Sequence, residues 1–249
     1  MTSPLLYPNA PVTLESAVAA GRPVRAAWWG VPDFLIAFGL WILFSVVAAV
    51  IGLALFGDTE LTGGPSLMIG LTLPWIGMAG WPLLVAWWKG NGPVIDFGLT
   101  FRASDLLWGL VYGLAALFAA AIIAAITTAL AGDFDSAAGE LADSLDSFLL
   151  LVLFGIAVGI GAPIVEELAF RGLLFGALAK RGMATWLVIV LSALAFSLIH
   201  FEPIRIPLLL STGLILGVAR WHRRSTTVPI LAHMVNNLPA ALVLVFVGP

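Results

Sequence analysis

Seven stretches of this sequence contain no Asp, Glu, Lys or Arg: residues 34–57, 61–88, 106–132, 147–165, 182–201, 206–219 and 225–249. A helix needs about 20 mainly apolar residues to cross the hydrocarbon layer of a bilayer. Six of the stretches reach that length or come within a residue of it. The stretch 206–219, with 14 residues, is the short one and is expected to be re-entrant or tilted. Gly63, Gly64 and Pro65 favour a turn and trim the second span to roughly 66–88. Hydrophobic residues make up 61% of the chain and charged residues 10%, against about 25% charged in soluble domains. The expected fold is therefore all-α, a polytopic transmembrane helical bundle of about seven spans. Residues 1–27 form an N-terminal tail, 28–146 hold three spans, and 147–249 hold the remainder.

Loop charges set the orientation, because cytoplasmic loops collect Lys and Arg. With the N-terminus inside, inner segments hold Arg22, Arg25, Lys89, Arg102, Arg171, Lys180, Arg181, Arg220, Arg223 and Arg224, which is ten of the eleven basic residues. Outer segments hold only Arg205. The loop 131–146 carries Asp133, Asp135, Glu140, Asp143 and Asp146 and no basic residue. The expectation is a cytoplasmic N-terminus and an external C-terminus, in what the compact chain suggests is a bacterial cytoplasmic membrane. Residues 1–27 lack the basic start and apolar stretch of a secretory signal and read as a short cytoplasmic tail with room for an interfacial helix. No cysteine is present, which excludes disulfides and thiolate metal sites. A net charge of −3 gives no basic footprint for nucleic acid.

Small residues recur at four-residue spacing in two spans, Gly155 with Gly159 and Gly213 with Gly217. That spacing lets helices approach closely in lipid, and packing is the reading it supports.

Ionisable groups within a membrane span are costly and mark function by default. They concentrate in the last ninety residues: Glu166, Glu167 and Arg171 in GAPIVEELAFRG, His200 in AFSLIH, and His233 with Asn237 in ILAHMVNN. Glu167 and Arg171 are four apart and share one helix face, in the favourable order. Glu166 lies about 100° away around the helix and is left without an intrahelical partner. Two carboxylates against one cation leave one negative charge, which is what a general base requires. Taken alone, these three charges fit a helix end at the cytoplasmic surface equally well. A lone His200 at a span end reads as interfacial, and His233 with Asn237 reads as polar glue between helices. His222, among Arg220, Arg223 and Arg224, reads as a solvated loop residue.

One Glu, two His and one Asn on three separate spans can converge in a bundle and serve a water as base, proton partner and oxyanion donors. Two His and one carboxylate also make a catalytic zinc set, so Glu166, His200 and His233 are candidate zinc ligands. The soluble zinc-protease signature, two His four apart with a Glu between, is absent.

At these residues the sequence resembles the CAAX prenyl endopeptidase and bacteriocin-processing (CPBP, or Abi) family of intramembrane proteases, which includes the type II CAAX prenyl endopeptidases. Its motifs are a Glu-Glu pair followed after three residues by Arg, here Glu166, Glu167 and Arg171; Phe, three residues, then His, here Phe196 and His200; and His, three residues, then Asn, here His233 and Asn237. The resemblance covers roughly residues 150–245. It implies an endopeptidase acting on membrane-associated or lipidated (CAAX-type) protein substrates. Glu166 would activate water with the help of His200, and His233 and Asn237 would stabilise the oxyanion. Glu167, Arg171 and Phe196 would be structural support. It leaves open a metal-dependent and a metal-independent mechanism. A proton-coupled transporter is the competing class, since intramembrane Glu and His also build proton relays, but no inverted repeat is visible. A non-catalytic scaffold or immunity protein is the third.

Simple topology sets Glu166 near the inner end of one span and His200 near the outer end of the next. The length of the segment resolves this. Ser147–Lys180 as one helix would be about 50 Å long against a hydrocarbon core of roughly 30 Å. The bilayer can therefore enclose its later part, with Glu166 deep and Arg171 buried against Glu167.

Overall fold

The computed structural model describes residues 5–57, 64–134, 136–145 and 147–247. Gly63 of the expected turn, and Asp135 and Asp146 of the acidic loop, lie outside the described residues. Helices α1 (Val12–Ala19), α2 (Val31–Phe56), α3 (Gly64–Lys89), α4 (Ala103–Ala131), α5 (Ala137–Asp143), α6 (Phe148–Ala179), α7 (Thr185–Leu198), α8 (Pro203–Arg223) and α9 (Thr227–Phe246) follow in order. Among the described residues there is no strand. Six of these helices, α2, α3, α4, α6, α8 and α9, are long and apolar enough to cross a membrane, so the chain is an integral membrane protein with an all-α bundle.

The short element is not the expected one. The stretch 206–219 lies inside the 21-residue α8, whereas α7 has 14 residues and extends only about 21 Å. Counting uncharged residues failed here because charge does not mark these helix ends. Arg205 is paired with Glu202 at 2.7 Å and Arg220 is fully buried, so α8 runs past both. Helix α7 ends instead at a turn through His200 and Phe201, where Phe201 takes a left-handed φ of 55°.

Helix α6 is the axis of the bundle. It runs 32 residues without a break, and every residue from Glu167 to Ala179 is buried. Around it, Phe170, Leu173, Phe175 and Phe196 form the core with Trp29, Phe34 and Phe97. Large apolar side chains on the outer faces of α2 and α4, among them Leu35, Val46, Leu110 and Phe118, are exposed, as lipid-facing surface should be.

Small residues set the closest helix approaches. A Cβ on Gly155 would lie 2.6 Å from Val245, and one on Gly217 would lie 3.0 Å from Ile189, so both expected glycine pairs lie at helix contacts. A third pair, Gly109 and Gly113 on α4, lets α9 come close enough that a Cβ on Gly113 would sit 2.5 Å from that of Val235. Residues 5–27 fold back on the end of the bundle where α8 meets α9. Val12 N donates to Arg224 O at 3.1 Å, and the Asn9 amide donates to Thr185 Oγ1 at 2.9 Å.

Candidate active site

Two π-helical segments, Ala157–Gly161 and Leu168–Leu174, bracket the six residues of α6 that carry Glu166 and Glu167. A π turn is an uncommon local widening that recurs at functional sites. Here it falls on either side of the paired carboxylates and includes Arg171.

The two glutamates have different surroundings. Glu167 is fully buried. Its Oε1 accepts from Arg171 Nη1 at 2.7 Å and contacts His233 Nδ1 at 3.1 Å. A carboxylate already paired with a guanidinium accepts, so Nδ1 of His233 is the protonated nitrogen. The other ring nitrogen, Nε2, then faces Glu166 Oε2 at 3.8 Å, beyond direct hydrogen-bond distance. Glu166 keeps 24% of its side-chain surface exposed and lines a cavity of about 440 Å3. Glu167 and Arg171 are thus paired in the interior, and Glu166 faces open space. Glu167 also does something the sequence did not suggest, which is to orient His233.

Arg171 is held on three sides. Its Nη2 donates to Gly213 O at 2.8 Å, and its guanidinium lies 4.8 Å from the ring centroid of Phe196. Phe196 in turn stands edge-on to His200 at 4.9 Å and to His233 at 5.6 Å. One aromatic ring thus spaces both histidines and the arginine.

His200 lies two residues beyond the end of α7. Its Nδ1 meets Phe196 O at 2.8 Å, a carbonyl four residues back that the ending helix leaves without a helical partner. A carbonyl accepts, so Nδ1 carries the proton and Nε2 presents a lone pair. The sequence conflict over depth disappears in this hairpin. Glu166 lies 13 residues before Ala179, and His200 lies 15 residues after Thr185. At about 1.5 Å per residue both stand some 20 Å from the turn that joins α6 to α7.

Glu166, His200, His233 and Asn237 all line the same cavity, with Trp41, Trp75 and Phe170 among its apolar walls. Asn237 Nδ2 donates to Val158 O at 3.2 Å and its Oδ1 accepts from Asn236 Nδ2 at 3.0 Å, which among the described residues leaves one amide hydrogen of Asn237 unengaged. Residues that sequence reasoning missed also belong here. Thr212 and Asn236 line the cavity, and Thr212 Oγ1 and Asn236 Oδ1 have no hydrogen-bond partner among the described residues. Buried polar atoms of this kind call for water or a ligand. Arg220, assigned from sequence to an inner loop, is buried and donates from Nε to Arg171 O at 3.1 Å. Its position beside Arg223 and Arg224 concealed that.

Among the described residues, no three His, Asp or Glu side chains gather closely enough to hold a metal ion. Glu166, His200 and His233, the zinc ligands expected from sequence, do not form such a set among the described residues.

Residues 148–239 match the family model described as Type II CAAX prenyl endopeptidase Rce1-like. No curated protein and no solved structure matches the chain.

Proposed function

We propose that this chain, whose residues 148–239 belong to the Rce1-like family, is an intramembrane endopeptidase that hydrolyses peptide bonds of membrane-associated or lipidated protein substrates. The observation that carries the reading is the convergence of Glu166, His200, His233 and Asn237 on one largely apolar cavity, with His233 set between the two carboxylates. On the distribution of basic residues between loops we also propose an N-terminus inside and a C-terminus outside a bacterial cytoplasmic membrane.

The charge balance supports Glu166 as the base. Arg171 neutralises Glu167, so with His233 neutral the cluster retains one negative charge, and it rests on Glu166. Glu166 takes a proton from a water that also donates to Nε2 of His200, and the water oxygen adds to the peptide carbonyl carbon. The resulting oxyanion takes a hydrogen bond from the free amide hydrogen of Asn237. Glu166 then passes its proton to the amide nitrogen and the C–N bond breaks, giving a carboxylic acid and an amine; the acid's proton moves to the amine, and a carboxylate and an ammonium leave. The resemblance assigns His233 to the oxyanion as well. The geometry favours a different role, since Nδ1 is committed to Glu167 and Nε2 faces Glu166, and His233 serves as the proton partner of Glu166.

The test compares protein N- and C-termini in membranes from cells expressing wild type or Glu166→Gln. New termini found only with wild type are the expected result and would identify the substrates. Identical termini, with both proteins folded and equally abundant, would overturn the reading.

A further inference from the structure

A second cleft, of about 430 Å3, opens at the end of the bundle covered by the N-terminal tail and shares no residue with the catalytic cavity. Its walls include Tyr7, Arg25, Trp28, Asp96, Lys180 and Arg181.

The charges in this cleft are unequal. Asp96 is its one carboxylate, and it is occupied by neutral donors. Oδ2 accepts from Trp29 Nε1 at 2.9 Å and Asn91 N at 2.8 Å, and Oδ1 accepts from Asn91 Nδ2 at 2.9 Å. Arg25, Lys180 and Arg181 form no ion pair among the described residues. Arg25 donates from Nε to Gly90 O and from Nη2 to Trp87 O and Trp88 O. Lys180 donates to the carbonyls of Ala27 and Trp29. Carbonyls hold these cations in place without neutralising them, and each keeps N–H groups to spare. Three cations against one carboxylate leave the cleft with a net charge of +2. A second, independent observation is the hydroxyl of Tyr7, buried and without a hydrogen-bond partner among the described residues.

The surroundings suit a lipid. Leu5, Leu6 and Leu14 line the cleft beside the cations. Trp28, Trp87 and Trp88 stand more than half exposed at the same end, and Lys89 lies 4.6 Å from the Trp28 ring centroid. Exposed tryptophans with basic residues mark the headgroup level of a bilayer. We propose that this cleft binds the phosphate of an anionic phospholipid, with Arg25, Lys180 and Arg181 around the phosphate and Leu5, Leu6 and Leu14 against the start of an acyl chain.

The test is native mass spectrometry of the purified full chain titrated with phosphatidylglycerol or phosphatidylcholine. Phosphatidylglycerol should bind saturably and more tightly. Arg181→Glu should weaken it about fivefold or more, the effect of one basic residue beside anionic lipid, and Tyr7→Phe should weaken it by a smaller factor. Arg22→Glu, which changes the same charge outside the cleft, should leave it unchanged. Both arginines are exposed, so folding should survive either change. Equal binding of the two lipids, or equal losses from Arg22→Glu and Arg181→Glu, would overturn the proposal. So would displacement of the lipid by inorganic phosphate at comparable affinity, which would assign the cleft to a soluble anion.

Discussion

Replacing Glu167 with Ala should unfold the site from the inside. Arg171 is fully buried, and among the described residues Glu167 is its only carboxylate partner within ion-pair distance. After the substitution, the guanidinium keeps Gly213 O and the face of Phe196 but loses its counter-charge. Removing one partner of a buried pair costs about 3–5 kcal/mol, because the other charge is stranded. At about 2–4 °C per kcal/mol for a chain of this size, Tm should fall by roughly 6–20 °C when unfolding is followed in detergent micelles. The double variant Glu167→Leu with Arg171→Met removes both charges at similar volume and should recover most of that stability. It should not recover proteolysis, since His233 Nδ1 would still lack its acceptor. A Tm for Glu167→Ala within about 3 °C of wild type would refute the stranded-charge argument. Full activity in the double variant would refute the orienting role of Glu167.

Glu166→Gln keeps the shape of the cavity wall and removes the proposed base. Cleavage should fall by at least about 100-fold, with Tm nearly unchanged. Gly113→Val places side-chain atoms against Val235 and the Ala232 carbonyl, where a Cβ alone would already come within 2.7 Å. Such overpacking costs about 1–3 kcal/mol, and because it pushes on α9 beside His233, activity should fall with stability. Gly39→Ala, whose Cβ meets no atom of the described residues within 4 Å, is the control in the same unfolding assay. Burial at the end of α6 lowers the Lys180 ammonium to a pKa of about 8, from 10.5. The unfolded chain then holds more protons than the folded one between pH 8 and 10.5, so the contribution of Lys180 makes stability rise with pH in that window. Subtracting the Lys180→Met profile from that of wild type should isolate this rise, and a flat difference would contradict it.

What could be read from the sequence followed from local spacing. Glu167 and Arg171 are four apart, and that alone anticipated their pairing. The length of the apolar segment after Ser147 anticipated a single long helix, α6, through Glu166 and Arg171. What could not be read depended on tertiary packing. Arg220 sits in a run of basic residues that resembles a cytoplasmic loop, and tertiary packing buries it, with Nε on Arg171 O and the guanidinium 5.2 Å from the Phe175 ring centroid. The end of α7 is set by a left-handed Phe201 rather than by a charge, so counting uncharged residues overran it by three. The π-helical segments of α6 have no signature in residue type. The approach of His233 to Glu167, which are 66 residues apart, needed the Gly109 and Gly113 seam to bring α9 inward.

The adjacent carboxylates separate two demands that a single residue could not meet. A buried core in a membrane protein tolerates an arginine only with a close counter-charge, and a counter-charge held by a guanidinium is a poor base because its negative form is already stabilised. Glu167 meets the first demand at full burial. Glu166, turned about 100° around the helix, carries the unbalanced charge where the cavity gives it room for water. His233 connects them, with one nitrogen on each, so a proton taken at Glu166 is felt by a histidine whose orientation depends on Glu167. A chain with only the second carboxylate would keep its bundle and lose the proposed base. A chain with only the first would keep the base in a bundle with a stranded arginine at its centre.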